Sequence, residues 1–363
     1  MAILLDNLNV DCYRGLSHIE LTGFNHVNIL VGDNNVGKTS VMEMIFALNA
    51  PYSLDIWNEI ARKKSNSRGF TYYSAYQTLF PIDNEKRIKF EGSFFDYGMV
   101  SVSVSAEEYN TTISEKELNR INGLIKTGNQ NSQDSYVDTK VLEISINSRM
   151  GEVEFEIYDF QRRPPRIPVN DEKKSLWAYN TVFLEPRDGL ENDFSYLKKV
   201  ILDSEYYSQL VEILKEFDQT ITGIIAVEDM GRTEYYVRTS NHNTAIPISV
   251  YGDGLKKALI IFACMASNKD GIVLVDEIES SIHTSAMKKV FLTILNWAKK
   301  LNIQLFISTH SKEALNILLN CGDEYQEGVT VFTLYRNENG SYVRRLNCTE
   351  ALELQNRMGM EIR

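Results

Sequence analysis

The sequence predicts an α/β fold with a mixed central sheet, added antiparallel strands and a phosphate-binding turn at one strand end. Three observations predict it. An apolar run, Val27, Ile29, Leu30 and Val31, enters Gly32-Asp33-Asn34-Asn35-Val36-Gly37-Lys38-Thr39, which fits the pattern G-x-x-x-x-G-K-[ST], and Ser40 to Asn49 continue as a helix. A second run, Ile272-Val273-Leu274-Val275, delivers Asp276-Glu277 at its carboxyl end, where open α/β sheets bind ligands. A third, Ile303 to Ile307, ends at Ser308-Thr309-His310-Ser311.

Taken in order, residues 2–10 and 16–21 flank Tyr13-Arg14-Gly15 and read as a hairpin feeding the strand at 27–31. In the phosphate-loop pattern glycine lets the backbone approach the phosphates, the Lys38 ammonium reaches the β/γ oxygens, and the Thr39 hydroxyl can ligate Mg²⁺. Gly32, Asn34, Asn35, Gly37, Lys38, Thr39 and Ser40 are therefore the candidate nucleotide-binding residues of the first half. Period-two alternation at Ile88, Phe90, Gly92 and Phe94, then at Val100, Val102 and Val104, predicts antiparallel strands added to the core sheet, and 141–158 repeats that texture. Between them 105–140 is polar, with Asn122-Gly123, Gly128-Asn129 and Asn131-Ser132, which predicts a short helix and an exposed, mobile loop. Gln161 to Pro168 is a second excursion. From 193 to 217, Phe194, Leu197, Val200, Ile201, Leu210, Ile213, Leu214 and Phe217 keep helical spacing, as one helix or as two broken near Asp203.

Ser249-Val250-Tyr251-Gly252-Asp253-Gly254 precedes the apolar helix Ala258 to Ala266; small residues and a hydroxyl at a helix start make an anion-binding surface, and equally a plain turn. Asp276-Glu277 reads as a Walker B pair, Asp276 in the Mg²⁺ shell and Glu277 orienting and deprotonating the attacking water; the same acids could instead cap a helix beginning near Thr284. His310, at a strand terminus, can sense a γ-phosphate, so Lys38, Glu277 and His310 are the candidate catalytic residues and Thr39 and Asp276 the candidate metal ligands.

The chain of 363 residues can bury a full core, as one large or two medium units. Cys12, Cys264, Cys321 and Cys348 are scattered without C-x-x-C spacing, which suggests neither a disulfide framework nor a zinc site. With an acidic residue at Asp6 and no apolar run of membrane-spanning length, the expectation is a soluble, cytoplasmic protein without a membrane partner. A net charge of −11 argues against indiscriminate wrapping of nucleic acid and leaves a local basic patch open. No internal repeat and no sustained heptads occur, so long coiled-coil arms are not expected.

Taken together, Gly32–Thr39, Ser249–Gly254, Val273–Glu277 and Thr309–Ser311 resemble the head domain of ABC-type ATPases of the structural-maintenance, RecF and OLD group. The wording of the phosphate loop, Tyr251-Gly252-Asp253-Gly254 and Asp276-Glu277-Ile278-Glu279 is similar to that of OLD-like ATP-binding proteins of bacterial defence loci, the group that includes the ATPase subunit of the PARIS anti-phage system. The resemblance implies a P-loop ABC/SMC-like ATPase head with a helical signature lobe. Its parts are an N-terminal head portion (1–104), an insertion (105–180), the signature lobe (181–270) and a C-terminal head portion (271–363). It implies ATP and Mg²⁺ as cofactors and a head-to-head homodimer, or a higher homo-oligomer built on it, in which ATP on one phosphate loop is capped by Ser249, Gly252 and Gly254 of the other subunit. Ser281 and His283 would then be contacts across the dimer, or an exposed helix cap. Arg14 falls where related heads place a basic residue near nucleotide or DNA, and Gln77 is the nearest candidate for the glutamine that watches Mg²⁺.

Departures narrow the function. A transporter subunit would carry a Leu-Ser-Gly-Gly-Gln-like signature, and Asn268-Lys269-Asp270-Gly271 misses the guanine-reading Asn-Lys-x-Asp, which favours ATP over GTP. Residues 312–363 promise one helix, a strand pair near 329–345 and a tail, too little for a nuclease domain. The leading expectation is an ATP-binding and hydrolysing dimeric switch of an anti-phage defence system that controls a separate nuclease or toxin and responds to DNA or a phage trigger. The alternatives are a RecF-like repair ATPase clamping DNA, with phosphate contacts from Arg62-Lys63-Lys64 and Arg162-Arg163, and, third, transporter energisation.

Overall fold

The computed structural model describes residues 3–62, 70–82, 86–123, 135–149, 151–166, 179–186, 195–229, 232–321, 326–338 and 340–358. An N-terminal hairpin, β1 (Leu5–Tyr13) and β2 (Leu16–Thr22), precedes β3 (Val27–Val31) and α1 (Lys38–Asn49). Two short helices, α2 (Leu54–Arg62) and α3 (Tyr72–Gln77), lead to β4 (Arg87–Phe94), β5 (Gly98–Ser114), α4 (Glu115–Ile121), β6 (Tyr136–Ser148) and β7 (Gly151–Tyr158). Then come β8 (Thr181–Leu184), α5 (Ser195–Leu202), α6 (Ser204–Phe217), β9 (Ile221–Asp229), β10 (Arg232–Thr239), β11 (Ile246–Pro247) and α7 (Asp253–Ser267). The chain closes with β12 (Ile272–Val275), α8 (Thr284–Lys300), β13 (Gln304–Thr309), α9 (Lys312–Leu319), β14 (Val329–Asn337), β15 (Gly340–Asn347) and α10 (Cys348–Met358).

One six-stranded sheet runs β15-β14-β3-β13-β12-β8, parallel throughout except for the antiparallel edge strand β15. Both faces are covered, and the alternation of side chains sorts them. Ile29, Val273, Val275, Leu305 and Ile307 enter a core shared with α7, α8 and α9, whereas Leu30, Ile272, Leu274 and Phe306 enter the core built on α1 and the second sheet. That second sheet is antiparallel, in the order β2-β1-β4-β5-β6-β7, and a three-stranded sheet, β11-β10-β9, stands apart. Gln304, wholly buried at the start of β13, staples the N-terminal strand to the parallel sheet. Its Oε1 accepts from Leu4 N (3.1 Å) and Leu5 N (2.8 Å), and its Nε2 donates to Leu5 O (2.8 Å) and Asn25 O (3.1 Å).

Four expectations change. The alternating strands at 87–104 and 141–158 do not extend the core sheet but form, with the N-terminal hairpin, the separate antiparallel one, because β4 pairs with β1 rather than with any parallel strand. Strand β5 continues to Ser114 through residues that read as polar loop, with Val102 to Ser114 paired to β6 and Glu107 to Asn110 exposed. The C-terminal tail contains a helix, α10, with Ala351 in the core. The segment opening the expected signature lobe, β8, is an edge strand of the parallel sheet. The open question at Asp203 resolves into two helices, since its carboxylate caps α6 by accepting from Glu205 N (3.0 Å) and Tyr206 N (3.1 Å). The loop expected around Gly128–Ser132, the end of the 161–168 excursion, and Lys63 and Lys64 lie outside the described residues.

Candidate nucleotide site

Because β3, β12 and β13 are parallel and adjacent, the residues that follow them emerge at one edge of the sheet. There a cavity of about 510 Å³ is lined by Arg14, Gly15 and Leu16, by Asn34 to Ser40, and by Asp276, Glu277 and His310. Lys38, Thr39, Asp276, Glu277 and His310, far apart in sequence, thus share one space.

The loop between β3 and α1 is built on glycine. Gly32 and Gly37 take φ of +147° and +104°. A Cβ on Gly32 would collide with the Leu334 carbonyl oxygen, and one on Gly37 would lie 2.5 Å from Leu16 Cδ2. Lys38 folds back so that its ammonium donates to Gly32 O (2.7 Å) and Asp33 O (2.8 Å), leaving one of its three N–H groups for a ligand. Burial lowers the Lys38 pKa, against the opposing pull of Asp276, Glu277, Glu279 and Asp33.

Helix ends in this protein are capped selectively. Thr71, Ser114, Asp203, His283 and Ser311 cap α3, α4, α6, α8 and α9 through their side chains. In contrast α1, after Gly37, and α7, after Gly252, carry no side-chain cap among the described residues. Their N–H groups and dipoles remain available to an anion. Since His283 caps α8, the acids Asp276 and Glu277 do not.

The two acids have distinct surroundings. Asp276, 5% exposed, accepts from the Thr39 hydroxyl on Oδ2 (2.8 Å) and from the Ser308 hydroxyl on Oδ1. Glu277 has a half-exposed side chain, and its backbone is held in the left-handed region (φ 46°) by its N–H bond to Ser308 Oγ (2.8 Å). A non-glycine residue in that conformation stores strain that the surrounding structure must impose. Among the described residues no group of three or more His, Cys, Asp or Glu side chains forms a metal site. The Thr39 hydroxyl and Asp276 carboxylate are hard oxygen donors side by side, and they fit Mg²⁺, which is commonly held by one or two protein oxygens together with phosphate and water.

Arg14, in the β1–β2 turn (φ 51°), lies at the rim. Its Nε and Nη2 donate to Glu43 Oε2 (2.7 Å) and Oε1 (3.0 Å), Nη1 donates to Thr78 O (3.1 Å), and Tyr13 OH donates to Glu43 (2.9 Å). Burial opposes the Arg14 charge, but Tyr13 and Glu43 outweigh it and raise its pKa.

Other expected residues lie elsewhere. Ser249, Gly252 and Gly254 do not line the cavity; a Cβ on Gly254 would sit 3.4 Å from Ser281 O, so the start of α7 lies against the segment after Glu277. Gln77 is at the end of α3, donating to Glu108 (3.3 Å), and is not in the cavity wall. Sequence reasoning assigned no role to Ser308, Glu43 or Glu279. Ser308 could have been found as the first polar residue after an apolar strand run, Glu279 by its spacing from Glu277; Glu43 carried no signal beyond its place one turn after Thr39.

Residues 147–316 match the family model described as "AAA domain, putative AbiEii toxin, Type IV TA system". This span takes in Asp276, Glu277 and His310 and begins beyond the phosphate loop. Over 96% of this chain and 100% of the other, the structure superposes on an Smc head solved with the C-winged helix domain of ScpA, with a TM-score of 0.50 and 14% identity. The α/β fold resembles that of SMC head domains. An ATP/GTP phosphatase of Helicobacter pylori is 21% identical over 336 residues, 87% of each chain. The DNA replication and repair protein RecF of Bacillus subtilis is 42% identical over 45 residues, 12% of each. Among the described residues no helix is long and apolar enough to cross a membrane.

Proposed function

We propose that this chain binds and hydrolyses ATP with Mg²⁺ and works as a head-to-head dimeric switch that controls a separate effector, a nuclease or toxin, in bacterial anti-phage defence. The observation that carries the enzymatic part is the 2.8 Å bond between Thr39 and Asp276, 237 residues apart, in the cavity that also holds Lys38, Glu277 and His310. The name of the Helicobacter relative supports nucleotide hydrolysis, and the near-miss Asn268-Lys269-Asp270-Gly271 favours adenine over guanine. The uncapped start of α7 supports a phosphate-facing role for Ser249, Gly252 and Gly254 in the dimer, and Val250 beside them is 71% exposed. The resemblance of the motifs to OLD-like proteins, together with the toxin–antitoxin description of the matched model, supports the defence assignment.

When bound, Mg²⁺ would neutralise charge on the triphosphate and its leaving group. The chain's own residues do the rest. Lys38 binds the phosphates, the uncapped N–H groups of α1 cradle them, and Thr39 and Asp276 would hold the metal. Glu277, offset from Asp276 by its left-handed backbone, orients a water and takes its proton; His310 borders the same space.

The test is a pair of variants. Glu277→Gln is expected to bind ATP, lose about 10²–10⁴-fold in turnover, and accumulate as an ATP-dependent dimer in light scattering. Ser249→Arg is expected to bind ATP and remain monomeric. Parental hydrolysis by Glu277→Gln removes the assigned base, and undiminished dimerisation by Ser249→Arg removes the trans cap. Co-purification with the product of an adjacent gene tests the effector. The RecF similarity favours a second reading, a DNA clamp; ATPase stimulation by duplex DNA that falls steeply with salt would support it.

A further inference from the structure

We infer that Glu279 is the positioning residue of His310, holding its imidazole in the tautomer protonated on Nδ1. The inference rests on the nucleotide-site reading above for its consequence, and on geometry for its substance. The Glu279 side chain is 8% exposed, and its Oε1 accepts from the backbone N–H groups of His310 (3.0 Å) and Ser311 (3.2 Å). The same oxygen lies 3.2 Å from His310 Nδ1, whereas Glu277 Oε1 is 4.0 Å from that nitrogen and beyond hydrogen-bond range. A carboxylate accepts and does not donate, so the ring nitrogen facing it carries the hydrogen.

A purely structural clamp would not need this residue. Helix α9 is already capped by the Ser311 hydroxyl, which accepts from Ala314 N at 3.2 Å. Glu279 Oε2, moreover, is buried with no hydrogen-bond partner among the described residues, a costly feature where a neutral side chain would serve the backbone as well. The ring nitrogen is a third group facing Oε1, for which a charged oxygen is the stronger acceptor and an amide oxygen a weaker one. Nδ1 faces Glu279 and His310 lines the cavity, so Nε2 is the ring nitrogen turned away from Glu279. A ring protonated on Nδ1 presents Nε2 as an acceptor, as for the hydrogen of a water. Glu279 thus orients a group that touches the reacting atoms without touching them itself.

The experiment is a long-range ¹H–¹⁵N correlation spectrum of the full chain labelled at its five histidines, with His310→Gln supplying the assignment. The parent is expected to show His310 protonated on Nδ1. Glu279→Ala is expected to move the proton towards Nε2 and to lower kcat about 10–100-fold, with KM for ATP within about twofold. Glu279→Gln, whose amide oxygen still accepts, is expected to restore the tautomer and part of kcat. An Nε2-protonated parent ring, or a tautomer indifferent to Glu279→Ala, overturns the inference. Should the alanine variant fail to fold, the parent spectrum and the glutamine variant decide it. If the tautomer responds but even the parent hydrolyses no ATP, the positioning role stands and the hydrolytic reading falls.

Discussion

The two six-stranded sheets are equal in strand number and opposite in plan. In the parallel sheet β3, β12 and β13 run the same way, so whatever follows them is delivered to one edge; the phosphate loop, Asp276-Glu277 and His310 all arrive there. In the antiparallel sheet successive strands reverse, their turns fall at alternate ends, and its share of the cavity is a single turn, Arg14 to Leu16, between β1 and β2. Convergence of distant residues is thus a product of strand direction, while the antiparallel sheet contributes bulk, packing behind α1 through one continuous core.

Three substitutions would break or sharpen that contrast. Lys38→Ala, at the parallel edge, is expected to cost about 2–5 kcal/mol of nucleotide affinity, roughly 30-fold to several-thousand-fold, by calorimetric titration. Affinity near the parental value would mean that the edge is not where nucleotide binds. Glu43→Ala, at the seam between the two plans, leaves Arg14 buried without its partner. The urea midpoint is expected to fall by the equivalent of about 3–5 kcal/mol, the usual result of breaking a buried pair; a midpoint within error of the parent would show the pair to be dispensable. Gly92→Ala, within the antiparallel sheet, puts a methyl 2.6 Å from Leu48 Cδ1 and 3.1 Å from Asn7 O. It is expected to destabilise by about 1–3 kcal/mol while nucleotide affinity stays unchanged. A selective loss of affinity there would show the second sheet to be more than packing.

The same contrast explains what could be read from sequence. Three strands of the parallel sheet are short apolar runs stopped by Gly32, Asp276 and Ser308, and each stop marks where the chain enters the candidate site. Which chain segments share a sheet was not written in this way. Alternation at Ile88–Phe94 identifies a half-buried strand but not its neighbour, and the pairing of β4 with β1 depends on contacts across about 80 residues. The polar stretch 105–114 looked like loop because Glu107 to Asn110 are exposed on both faces of the strand and its pairing partner lay far ahead in β6. At the site, the groups bearing a motif were legible, whereas Ser308, Glu43 and Glu279, which hold those groups, were not. A supporting residue is defined by what it touches, and nothing in local spacing records that.

Gln304 has a consequence for how the protein is made. Its amide secures the first strand to a strand translated some 300 residues later, and Thr39 likewise waits for Asp276 and His310. At a ribosomal pace of about 5–20 residues per second, roughly 15–50 s separate the synthesis of the phosphate loop from that of the histidine. Throughout that interval the nascent chain holds half a pocket, and the cavity is complete only once His310 has left the exit tunnel.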